Sequence, residues 1–192
     1  SWTGLLTSLR ILIDTNIWIY LYVTGLTWVI REIVRLPGHE VWITGGVRRE
    51  LDKPEYGGVS ARTDGMFDDG TVTTADVPGQ DPNGPPIYVD AEDELIAVVN
   101  ETLDKDTSII STNDDRALDL CRRLGIESLD IAQFLIWCCN HGVLGLDDAV
   151  KGFDDLVKRG MVFKITRRRF LQKIARSSAS SGRRRRGRSG RR

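Results

Sequence analysis

Histidine is almost missing from this chain: His39 and His141 are the only two in 192 residues. Two isolated imidazoles cannot build a multi-histidine zinc site, and the sequence has no nucleophile elbow, phosphate-cradling P-loop or G-x-G-x-x-G fingerprint. Cysteine is scarce as well. Cys121, Cys138 and Cys139 are odd in number, two are adjacent, and none forms a Cys-x-x-Cys pair. That spacing excludes a disulfide framework and a zinc knuckle, and it suits reduced thiols in a cytoplasmic protein. No stretch reaches the roughly 18 apolar residues of a membrane span, and Ser1 to Arg10 lacks the basic leader of a signal peptide. A soluble chain with no membrane partner is expected.

Net charge is also missing, but only in sum. Lys plus Arg and Asp plus Glu both number 27, while residues 167 to 192 hold 12 of the bases and no acid. The remaining body therefore carries 15 bases against 27 acids. Such a body repels polyanions at long range, so any nucleic acid must be held by local basic patches, bound metal or the tail. The 41% apolar composition is enough for a substantial core and excludes a wholly disordered chain.

With histidine, thiol and serine chemistry removed, carboxylates remain. Two apolar runs end in an acid: Ile11-Leu12-Ile13-Asp14-Thr15-Asn16 and Ile109-Ile110-Ser111-Thr112-Asn113-Asp114-Asp115. Both read as buried parallel strands whose C-terminal ends deliver a carboxylate to the place where open α/β sheets carry their sites. Further strands are expected at Glu40 to Ile43, Thr71 to Ala75 and Glu127 to Leu129. Helices are expected over Ile17 to Val23, Thr27 to Leu36, Thr44 (as cap) to Leu51, Asp90 onward, and Asp114 to Leu124. Alternation of this kind gives an α/β fold with a parallel sheet and right-handed crossovers. From Asp52 to Asp90 glycines and prolines break the pattern, and Thr71 to Ala75 is the one element expected there.

Asp130 to Asn140, Leu146 to Arg159 and Thr166 to Arg176 read as a helical C-terminal part, with Met161 to Lys164 extended. Residues 177 to 192, only Ser, Ala, Gly and Arg, are expected to be disordered.

Glu50 and Asp93 lie between the two strand-end acids. Ile96, Val99 and Leu103 define a buried helical face, and Asp93 is expected one turn earlier on nearly the same side. Oxygen donors converging at sheet ends suit Mg²⁺ or Mn²⁺ beside a phosphodiester. Asp14, directly after three apolar residues, would be costly as a lone buried charge unless paired or metal-bound. Each of the others has a plainer role open to it: Asp114 or Asp115 as a helix N-cap, Asp93 as a helix-dipole acid, Glu50 as a surface acid beside Arg48 and Arg49.

The four acids and their surroundings resemble the PIN-domain family: Asp14 in Ile-Leu-Ile-Asp-Thr-Asn, Glu50 in Val47-Arg48-Arg49-Glu50-Leu51, Asp93 in Asp93-Glu94-Leu95-Ile96-Ala97, and Asp114 in Ser111-Thr112-Asn113-Asp114. The likeness spans about residues 10 to 140. It implies a three-layer α/β/α sandwich with a central parallel sheet, and a PIN-like catalytic domain over 10–140. Residues 141–176 would be a helical extension of it, followed by the Arg-rich tail 177–192. Gly142 to Leu171 is similar to the helical end of an archaeal and bacterial PIN subgroup.

The resemblance further implies a Mg²⁺- or Mn²⁺-dependent endoribonuclease. Asp14, Asp93 and Asp114 would be metal ligands, Glu50 a fourth catalytic acid, Asn16 and Thr112 hydrogen-bonding supports and Asp115 an auxiliary acid. Many such proteins are toxins of toxin–antitoxin pairs, so a small antitoxin and a homodimer are implied partners beside RNA. The stretch 52 to 90 departs from the family pattern. The alternative is a non-catalytic nucleic-acid-binding module that works through the tail, where Arg183, Arg184, Arg185 and Arg186 would track phosphates.

Overall fold

Short β-branched and leucine-rich runs form five strands: β1 (Leu9–Ile13), β2 (His39–Thr44), β3 (Val72–Ala75), β4 (Ser108–Ser111) and β5 (Glu127–Leu129). The computed structural model describes the backbone of residues 8–186, and their side chains except at 60, 64 and 177–186. Ile11, Leu12, Ile13, Ile110 and Ser111 are fully buried, and Ser108 almost so. Strands covered on both faces carry such unbroken apolar sequence rather than an alternation.

All pairings are parallel, in the order β3-β2-β1-β4-β5. The helices between β1 and β2 are α1 (Thr15–Val23) and α2 (Val29–Arg35). Those between β2 and β3 are α3 (Gly45–Leu51) and α4 (Gly57–Asp68), and α5 (Ala91–Thr102) and α6 (Asp115–Leu124) follow β3 and β4. The chain steps outward from β1 to β3, then crosses to β4 and steps out the other way. Right-handed crossovers therefore place the helices of the two halves on opposite faces of the sheet. The result is the expected α/β sandwich with a central parallel sheet, and its topological switch point lies between β1 and β4.

Two expectations need correction. Residues 52 to 71 are not irregular: α4 fills most of them, because Val59, Thr63 and Met66 recur at helical spacing and are all buried. Gly57, Gly58 and Gly65 hid that face, since glycine is a poor helix former that burial overrides. Thr44 occupies the N-cap position of α3, yet its hydroxyl makes no cap bond. The Glu94 carboxylate instead accepts from Gly46 N at 2.6 Å and pairs with Arg49.

The chain divides into two compact units, Ser1–Ile131 and Ala132–Arg192. The second consists of helices: most of α7 (Ile131–Asn140), then α8 (Leu146–Lys158) and α9 (Arg167–Arg186). Met161 to Lys164 forms no strand. Within this unit Phe153 stacks on both Phe163 and Phe170, and Cys138 is fully buried. Helix α9 runs ten residues beyond the expected end at Arg176, as Ser, Ala and Arg prolong a helix that is already nucleated. The expected disordered tail thus begins inside α9, while its side chains, and its backbone from 187, lie outside the described residues. No helix among the described residues is long and apolar enough to cross a membrane.

Candidate active site

The site grows from the register of β1 on β4. Ile13 pairs with Ser111, and Asp14 N donates to Ser111 O at 3.0 Å, so the ladder continues one residue past the strands. Asp14 and Thr112 are thereby opposite each other. Thr112 Oγ1 donates to Asp14 Oδ2 at 2.6 Å and accepts from Asp114 N at 3.2 Å. A single buried hydroxyl thus ties together the two acid-bearing strand ends.

Asn16 completes the tie. Its Nδ2 donates to Asp14 Oδ2 at 2.9 Å, and its Oδ1 accepts from Asn113 N at 3.0 Å. Asp14 Oδ1 accepts from Thr15 N at 2.7 Å, at the start of α1. Three of the roughly four lone-pair positions of Asp14 are therefore filled by neutral donors, and one is left.

Asp14, Thr15, Asn16, Ile19, Glu50, Tyr56, Glu92 and Asp114 line one cleft of about 180 Å³. Three of the four expected acids, Asp14, Glu50 and Asp114, face it. Asp93 does not. The side of α5 turned to the core carries Ala91, Glu94 and Leu95, whereas Asp93 is partly exposed and pairs with Arg116 Nη2 at 3.2 Å. The fourth acid of the cleft is Glu92, which sits four and seven residues before the buried Ile96 and Val99 and meets the same Arg116 Nη2 at 3.2 Å. Asp115 is exposed and lies outside the cleft lining. Asp114 also fills its alternative role, since its carboxylate accepts from Ala117 N at 2.8 Å and caps α6. The side chains of Arg183, Arg184, Arg185 and Arg186 lie outside the described residues.

Burial pushes the Asp14 carboxyl up to about 6, and the negative charges of Glu92 and Glu50 add to that. The bonds from Thr112 and Thr15 oppose it. Glu92 is also raised, first by burial, with Asp90 and Asp114 contributing and Arg116 opposing. Acids that raise one another across a small cleft form a site with more negative charge than its own cations offset.

Linkage gives this a measurable consequence. The folded Asp14 value lies above its unfolded value of 3.8, so its contribution is fully present below 3.8 and is lost as pH rises through about 6. Asp14→Asn escapes that loss. Urea unfolding of metal-free protein should show the variant gaining roughly 2 to 3 kcal/mol on the wild type between pH 4 and pH 7. An unchanged difference would mean that Asp14 is not held in a desolvated, acid-rich setting.

Among the described residues, no three His, Cys, Asp or Glu side chains are gathered closely enough to grip a metal ion as they stand. In donor chemistry the cleft nevertheless fits a hard divalent cation: it offers four carboxylates, Asp14 has a lone pair to spare, and charge compensation is needed. No family model matches this chain, and no curated protein matches its sequence.

Proposed function

We propose that the chain is a metal-dependent phosphodiesterase whose site is the Asp14 cleft, and within that class an endoribonuclease of the PIN type. One observation carries the reading: an aspartate at the switch point, held by neutral donors and raised first by its burial and then by neighbouring acids, in a cleft open to solvent. Mg²⁺ or Mn²⁺ bound there would polarise a phosphoryl oxygen and favour ionised water as nucleophile. Asp14, Asp114 and Glu92 would hold the ion, with Glu50 beside them. Thr112 and Asn16 keep Asp14 in one orientation, which is the role of supporting hydrogen bonds around ligating carboxylates.

Single-stranded or looped RNA is the expected substrate, because a shallow acid cleft needs an accessible backbone. The test is cleavage of varied RNAs by the full chain with Mn²⁺ and with a chelator. Metal-dependent cleavage supports the reading, and its absence across substrates favours the non-catalytic alternative. A sharper comparison separates the two neighbouring acids on α5. Glu92→Gln should lower cleavage by about 10- to 100-fold, while Asp93→Asn should stay within about threefold. The reverse order would restore Asp93 to the site and remove Glu92.

A further inference from the structure

Glu50 lines two cavities. One is the acid cleft, and the other is a neighbouring pocket of about 270 Å³ whose wall includes Arg49, Lys53, Pro86, Tyr88 and Val89. We infer that this second pocket is a nucleotide subsite, taking one base and its phosphate of a single-stranded RNA adjacent to the position held at the acid cleft. The inference rests on the proposed nuclease reading for the identity of the strand, and its test is kept separate from cleavage.

Three observations carry it. The first is local charge: Glu50 and Glu94 also line this pocket, but Arg49 offsets Glu94 and Lys53 adds a cation, so beside the acid site of a strongly acidic body the wall is locally balanced. Arg49 is fixed by its ion pair with the buried Glu94, while its side chain stays about half exposed. Lys53 is exposed. A phosphate one step from the acids would meet Lys53 and the exposed half of Arg49 here.

The second is an aromatic wall. Tyr88 is partly buried against the pocket, flanked by Val89 at 97% exposure and Ile87 at 52%. Such exposed apolar surface beside two cations suits a base, whose π-face stacks while its phosphate pairs. Tyr56 lines the acid cleft together with Glu50, so each of the two cavities that share Glu50 has a tyrosine in its wall.

The third is that the loop presenting Tyr88 is built rather than loose. Gln80 Nε2 donates to Pro85 O at 3.0 Å, Gln80 Oε1 accepts from Ile87 N at 2.9 Å, and Asp81 accepts from Asn83 N at 2.9 Å. One glutamine thus staples the segment just before Tyr88. An orienting network at this position has a purpose if the ring is a platform.

The experiment uses the full chain in chelator, so that cleavage cannot interfere, with a short oligouridylate carrying one 5-iodouridine. Irradiation should crosslink it to Tyr88, as mapped by peptide mass spectrometry, and the tail offers no aromatic competitor. By anisotropy, Tyr88→Ala should weaken binding about tenfold, and Tyr88→Phe should keep it within about twofold. Lys53→Ala should reduce the slope of log affinity against log salt by about 0.7. Wild-type affinity in Tyr88→Ala together with an unchanged slope in Lys53→Ala overturns the subsite, as does failure of the wild type to bind the single strand. Equal dependence on Tyr88 for duplex RNA also overturns it. Loss of metal-dependent cleavage with these binding effects intact would instead remove the nuclease reading and leave the subsite standing.

Discussion

Asp14→Asn is expected to lower metal-dependent RNA cleavage by about 10²-fold or more, the largest loss of any single substitution in the cleft. The size of the loss reflects what the carboxylate supplies. It brings a full negative charge to a buried position, and a cation held there contributes several kcal/mol of charge stabilisation, where each 1.36 kcal/mol is tenfold in rate. The amide keeps the size and removes the charge, with its NH2 turned toward one of the donors whose bonds Asp14 accepts, Thr15 N, Asn16 Nδ2 or Thr112 Oγ1. Thermal unfolding reads the same event without activity: Mn²⁺ at about 100 times its dissociation constant should stabilise the wild type by about 2.7 kcal/mol. The variant should gain far less. Because Asp14 titrates at about 6 without metal, binding below that pH must displace a proton, and apparent affinity should rise with pH through 6. Full activity in Asp14→Asn, or equal stabilisation of both proteins by Mn²⁺, would remove Asp14 from the metal site.

The parts of this molecule that were legible in its sequence are those governed by short-range rules. Ile11-Leu12-Ile13 and Ile109-Ile110 announce strands buried on both faces, and an acid directly after such a run has few places to go. Register did the rest, placing Thr112 opposite Asp14, where its hydroxyl reaches the carboxylate. What the sequence concealed was rotation. Glu92, Asp93 and Glu94 are three consecutive acids on the first turn of α5 with different surroundings: Glu92 lines the cleft, Glu92 and Asp93 share Arg116 Nη2 at 3.2 Å each, and Glu94 is buried in the core. The i and i+4 relation between Glu92 and Ile96 held the answer, but choosing among adjacent acids needs the helix phase, which Ala91, Leu95 and Val98 set by their burial. Helix α4 was hidden for another reason, since Gly57, Gly58 and Gly65 weaken its propensity and the packing of Val59 and Met66 compensates.

Glu94 illustrates how far from the chemistry a large effect can originate. Its carboxylate, 2% exposed, accepts from Gly46 N and pairs with Arg49, so it does for α3 what the Thr44 hydroxyl does not. Glu94→Ala leaves a helix-end N–H without an acceptor in a buried place, while the half-exposed Arg49 guanidinium turns to solvent. The unsatisfied N–H costs about 1 to 3 kcal/mol, which urea unfolding would register as a lower midpoint with an unchanged slope. Glu94→Gln keeps an acceptor for Gly46 N but loses the charge, and should fall between. Gly46→Ala attacks the same contact from the other side, because a Cβ there would stand 2.5 Å from the Glu94 carboxylate. The damage should also reach function, since α3 carries Glu50 into the acid cleft and Arg49 into the pocket beside it. In Glu94→Gln that still folds, RNA binding should weaken more than the metal-dependent rate falls. Wild-type stability in Glu94→Ala would show that α3 is anchored by its apolar face alone.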